Sequence, residues 1–181
     1  MPPVKIVEDA NTALEAVKGG AHVIIKGELG LEAEIEIKRA AANRQVLVLG
    51  PKCSFSILEQ ERFGTWNALK SGPIGLVGTS SSGLRALSTL LNPIGISHVL
   101  YVGARDLTQR VGGWGTIGAI KYLAQDPKTE VIGIVGMAPP TSIERKLKEI
   151  VNQVGKPCVF CLIGSSKLEE GTDTCLLYTS D

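Results

Sequence analysis

The chain has 181 residues, 44% of them hydrophobic and 20% charged, and its 19 Lys and Arg against 18 Asp and Glu leave a formal net charge of +1. That is the composition of a globular protein with a real core, and it offers no basic field for nucleic acid or an anionic membrane. Aromatics at 4% argue against base-stacking platforms, no apolar run nears the ~20 residues a bilayer requires, and the acids in MPPVKIVEDANTAL do not fit a signal peptide. A cytoplasmic protein is the expectation.

Taken in order, Ala10 to Lys18 reads as a short helix with Asp9 or Asn11 near its cap and Gly19-Gly20 at its stop. His22 to Lys26 is a strand candidate. Leu31 to Arg44 has a helical charge pattern, with Glu34 four residues before Lys38, and Leu31, Ile35, Ile37 and Ala41 give it a modest buried face. Val46 to Leu49 is the next strand, ending in Gly50-Pro51-Lys52-Cys53. Ser54 to Ser71 has no clean period and reads as a connector.

From Ile74 the pattern alternates: strands at Ile74 to Val77, Ser97 to Val102, Val131 to Val135 and Cys158 to Ile163, with helices near Leu84 to Leu91, Ile117 to Ala124 and Ser142 to Val154. Apolar strands alternating with amphipathic helices predict a doubly wound parallel sheet. Ligands of such sheets bind beyond the carboxyl ends of the strands, at a switch point. The strand ends here are polar and glycine-rich: Gly78-Thr79-Ser80, Gly103-Ala104-Arg105-Asp106 and Gly136-Met137-Ala138-Pro139.

The segment on which the chain turns is GPIGLVGTSSSGL, Gly72 to Leu84: a buried strand, a hydroxyl-rich loop and a helix start. Amide donors at a helix start lack intrahelical partners, and together with the helix dipole they stabilise an anion, most often phosphate. Ser80, Ser81, Ser82 and Gly83 are therefore phosphate-binding candidates; the plainer alternative is that one serine caps the helix and Gly83 packs on the sheet. Cys53, Gly103, Arg105, Asp106, Gly112 and Gly113 are candidate pocket-lining residues on the same rim. For Arg105-Asp106 the competing reading is a solvated turn with Asp106 capping the segment after it, and for Gly112-Gly113 a tight turn.

No catalytic or metal-ligating residue is assigned. His22 and His98 have no acidic neighbour or second ligand in sequence, so both read as structural. Cys158-Val-Phe-Cys161 lies in a strand pattern, which points the two thiols to opposite faces and argues against a shared metal or disulfide. Cys175 to Asp181 reads like a translated sequencing adapter and is set aside. A chain truncated at both ends is the resulting expectation.

These segments resemble a known family. GPKC after Val-Leu-Val-Leu, then GPIGLVGTSSSGL, ISHVLYVGARDLTQRVGG, DPKTEVIGIVG and GKPCVFCLIG come in the order and spacing of FdrA proteins, which are similar to the alpha subunit of succinyl-CoA synthetase. The resemblance covers nearly all of residues 10 to 165. It implies that 1–53 is the C-terminal part of a Rossmann-like CoA-binding domain, 54–71 a connector, and 72–174 a truncated flavodoxin-like ligase domain. It also implies an acyl-CoA synthetase acting on CoA, with a nucleotide such as ATP bound by an ATP-grasp beta-like subunit or domain.

In succinyl-CoA synthetase a phosphorylated histidine links the half-reactions, and the acid that orients it falls at Met137, whose thioether cannot accept that hydrogen bond. The histidine loop itself would follow Gly164, so the fragment alone is expected to be inactive. Two other readings of the residues stay open. The Thr-Ser-Ser-Ser-Gly loop could hold the phosphate of FMN with Trp114 stacked on its ring. A phospho-accepting signalling domain would need clustered aspartates at strand ends that here read Gly78, Gly103 and Gly136.

Overall fold

In the computed structural model, residues 2–58, 61–64 and 69–164 are described. The chain opens with β1 (Val4–Val7), α1 (Ala10–Lys18), β2 (His22–Ile25), α2 (Leu31–Arg44) and β3 (Val48–Leu49). These strands form a three-stranded parallel sheet in the order β1-β2-β3. Both helices have the bounds expected from sequence. Asp9 caps α1 by accepting from the Thr12 N–H at 3.0 Å, which holds its carboxyl below the usual range. β1 went unassigned from sequence: it is short and partly exposed, and the apolar side chain of Ile6 points outward at 52% exposure.

The alternation of β2 and β3 divides their side chains between two cores. Val23, Ile25 and Val48 pack with Ala13, Val17, Ile37 and Ala41 of α1 and α2. Ile24 and Leu49 join the larger cluster built around the second sheet. The hydrophobic boundary therefore does not coincide with the chain boundary near residue 53.

The second sheet has six strands, β4 (Ser56–Leu58), β5 (Glu61–Phe63), β6 (Ile74–Gly78), β7 (Ile96–Tyr101), β8 (Val131–Met137) and β9 (Cys158–Ile163), in the order β5-β4-β7-β6-β8-β9. The segment expected to be a mere connector thus supplies two antiparallel strands at one edge. Three-residue strands are too short to show a period, which is why the sequence pattern missed them. β6 through β9 are parallel, linked by α3 (Ser81–Leu90), α4 (Trp114–Gln125) and α5 (Thr141–Val151). Right-handed crossovers that run first to one side of β6 and then to the other place α3 on the face opposite α4 and α5. This is the doubly wound α/β arrangement read from the sequence, and the chain's reversal of direction falls between β6 and β8.

Along β9, Cys158 is buried and Cys161 partly exposed on the other face, so the C-x-x-C pair diverges as its strand pattern required. Cys175 to Asp181, and any loop after Gly164, lie outside the described residues. No helix among the described residues is long and apolar enough to cross a membrane.

Candidate functional site

The switch-point crevice is built by the ends of β6 and β8. After Gly78 the chain turns through Thr79, whose N–H donates to the Val135 carbonyl at 2.9 Å, into α3. Ser80 is the N-cap: its Oγ accepts from the Gly83 N–H at 3.1 Å, and its carbonyl accepts from the Leu84 N–H at 2.9 Å. Those bonds satisfy two first-turn amides. The amides of Ser81 and Ser82 find no partner among the described residues and open at the helix start, beside the Ser82 hydroxyl 3.3 Å from Ser80 Oγ. Gly83 is required by packing, since a Cβ there would come within 2.9 Å of Val135 Cγ1. The capping and the anion-binding readings of this loop are therefore compatible: Ser80 caps, and the next two amides remain open.

α5 begins on the other side of the crevice, with Pro140 at its cap and no side-chain capping bond. Met137, at the end of β8, is 62% exposed, and its thioether leaves this rim without a carboxylate at that position.

The remaining candidates are held in internal contacts. Asp106 is fully buried, which corrects the solvated-turn reading. Its Oδ1 accepts from Gly115 N–H at 2.9 Å, and its Oδ2 accepts from the Thr116 amide at 2.8 Å and the Thr116 hydroxyl at 2.7 Å, so it caps α4 as expected. Its charge is met by Lys38, not by Arg105. Lys38 Nζ lies 2.8 Å from Asp106 Oδ1, 2.8 Å from Glu34 Oε1 and 2.6 Å from the Val102 carbonyl. Arg105 turns back to Glu34 Oε2 at 2.8 Å and to the Leu29 carbonyl at 2.7 Å.

Gly103, at φ +92°, packs against the Gly50 carbonyl, where a Cβ would come within 2.5 Å. Gly112 and Gly113 have φ of +84° and +76° and form the turn into α4. Cys53 is 3% exposed and bonded to Phe55 and Ser56 in the core, and burial pushes its thiol up to about 11.

Both histidines are buried and lie edge-on to Tyr122, with ring centroids 5.5 Å away in each case. His98 does have an acidic neighbour, Asp126, with Nδ1 3.4 Å from Oδ2. That neighbour lies far along the chain, out of reach of a local sequence reading. Burial raises the Asp126 carboxyl, but the Thr129 hydroxyl and Lys128 amide, with His98 and Lys156 nearby, more than offset it and leave the pKa lowered. Sequence reasoning missed the Glu34–Lys38–Asp106 network as well. Glu34 and Lys38 showed only helical spacing, and nothing local said that their face was buried.

Sheet order and the loop at the β6–β8 reversal define a doubly wound α/β protein joined to a smaller parallel sheet. Among known proteins, the chain is 30% identical over 166 residues to the uncharacterized protein YahF of Escherichia coli (strain K12), covering 89% of this chain and 32% of YahF. The chain thus spans about a third of the length of the curated relative it matches. No protein-family model matches. An ATP citrate lyase from Methanothrix soehngenii, solved with citrate and coenzyme A, superposes with a TM-score of 0.72 at 17% identity, over 90% of this chain and 29% of that one. The dinucleotide-forming acetyl-coenzyme A synthetase 1 of Ca. Korarchaeum cryptofilum, solved with phosphate and ADP, gives 0.61 at 21% identity, over 87% and 37%. The fold is shared with segments of these CoA-handling enzymes.

Proposed function

We propose that the chain is part of an acyl-CoA synthetase of the FdrA and succinyl-CoA-synthetase-alpha type, contributing the phosphate cradle of an acid–thiol ligase. The observation that carries this reading is the pair of open amides at Ser81 and Ser82, set at the switch point of a fold otherwise found in an acetyl-CoA synthetase and an ATP citrate lyase. Ligation of a carboxylic acid to CoA through an acyl phosphate or a phosphoenzyme needs donors that hold a phosphoryl group as negative charge develops on its oxygens. Preoriented backbone amides supply that without reorganisation. Ser80 fixes the helix start, Ser81 and Ser82 donate, and Gly83 lets α3 sit close over β8. Residues 1–53 would belong to the CoA-binding layer, and nucleotide would come from an ATP-grasp partner.

The FMN alternative loses its geometry. Trp114 lies against α2 and β3, in a groove that shares no lining residue with the Ser80–Ser82 loop.

Calorimetric titration of CoA and of inorganic phosphate into the chain, and into a Ser80→Ala/Ser82→Ala variant, tests the proposal. Saturable phosphate binding that weakens about tenfold or more in the variant supports the cradle, a loss equal to one or two hydrogen bonds to a charged group. Equal binding by both proteins removes the role of the Ser80 cap and the Ser82 hydroxyl, and no saturable phosphate binding by the unsubstituted chain removes the cradle. CoA binding unaffected by the variant alongside weakened phosphate binding would separate the CoA site from this loop.

A further inference from the structure

A second cavity lies at the seam between the two sheets, away from the Ser80–Gly83 loop. It is a groove of about 380 Å³ between the end of α2 with the residues leading into β3 on one side and the length of α4 on the other. That volume is in the range of small-molecule sites, which favour seams of this kind. We propose that it binds a purine nucleotide, a flat nitrogen heterocycle carrying an anionic group, either free or as the adenylate end of a larger molecule.

Four observations support the assignment. Aromatics make up only 4% of the chain, yet Trp114 and Tyr122 both line this groove, two helical turns apart on α4. Between them stands Gly118, where an added Cβ would meet nothing within 4 Å, so the helix backbone leaves room for a ring to lie flat against it. The amides of Asn43, Gln45 and Gln125 also line it and make no side-chain hydrogen bond among the described residues, leaving donors and acceptors for the edge of a heterocycle. Lys121 is the cation of the lining, has no ion-pair partner among the described residues, and faces no acidic lining residue. That charge pattern suits a phosphate.

The site does not depend on the acyl-CoA reading, and its test separates the two. Trp66→Phe leaves Trp114 as the remaining tryptophan of the two, and AMP is titrated while its emission is followed. Calorimetry on the unsubstituted chain guards against a damaged variant. The expected result is saturable quenching by AMP, with adenosine weaker by about threefold, the contribution of an exposed ion pair. Lys121→Met should reduce AMP to the affinity of adenosine and leave the binding of inorganic phosphate at the start of α3 unchanged. Displacement of AMP by CoA would identify the adenylate of a larger ligand, and failure to displace it a free nucleotide. No saturable binding of AMP up to about 5 mM, a binding energy near 3 kcal/mol, overturns the proposal. So does AMP binding that is indifferent to both Lys121→Met and Trp114→Leu.

Discussion

Lys38 carries its charge into a site where its side chain is 1% exposed, and it spends all three donors there on Glu34, Asp106 and the Val102 carbonyl. Lys38→Met takes the buried cation away from both carboxylates, leaving, among the described residues, Asp106 with only the Gly115 and Thr116 donors and Glu34 with Arg105 alone. The expected loss is about 3–5 kcal/mol in urea unfolding, against a few tenths for Lys121→Met on the surface. Similar midpoints for the two variants would show that the network is solvated.

His22 is a second residue-scale probe. Its Nδ1 accepts from the Leu47 N–H at 2.9 Å, and burial, with a small contribution from the N-terminal charge, lowers its pKa below the ordinary 6.5. Between the depressed folded value and 6.5 the unfolded chain binds more protons, so stability falls as pH drops below about 6.5. His22→Asn, which keeps an acceptor for Leu47, should flatten the pH slope just below 6.5; an unchanged slope assigns it elsewhere. None of these tertiary contacts was legible in sequence, because Lys38 and Asp106 are 68 residues apart and burial of a charge leaves no periodic trace.

At the scale of elements the sequence was more readable where a cap or a long apolar run existed. α1 and α2 have the bounds that Asp9, Gly19 and the helical charge pattern implied, and β9 matches residue for residue. α3 and α4 begin three residues earlier than their apolar periodicity suggested, because their first turns are polar or glycine-rich. The β4–β5 hairpin was invisible for the opposite reason, three-residue strands with no period to detect.

Ser80→Ala should cost α3 about 0.5–2 kcal/mol through the lost cap. Gly83→Ala has ample helix propensity but too little space, with Val135 Cγ1 at 2.9 Å and Ser80 Oγ at 3.1 Å from the new methyl. It should destabilise by about 1–3 kcal/mol, and a stabilised Gly83→Ala protein would show that α3 sits further from β8 than described.

For the whole molecule, the two sheets behave as one packed body. Ile24 and Leu49 enter the larger core, Gly50 N–H reaches the Tyr101 carbonyl at 2.8 Å, and the Lys38 network closes the seam. Urea unfolding followed by Trp emission and by far-ultraviolet dichroism should therefore give one coincident transition. Two separated transitions would mean that the three-stranded sheet melts independently. The doubly wound class and the rim loop were legible because buried parallel strands write themselves as apolar runs ended by glycine and serine. The seam was not, because it is made by residues that local pattern assigns to solvent.

The most direct test of the phosphate cradle is an amide-resolved NMR titration of the chain with inorganic phosphate. The largest saturable shifts should fall on the Ser81 and Ser82 amides, with Gly83 beside them, and in Ser80→Ala/Ser82→Ala they should need about tenfold more phosphate to saturate. Shifts scattered over surface lysines, or none at the start of α3, would contradict the cradle.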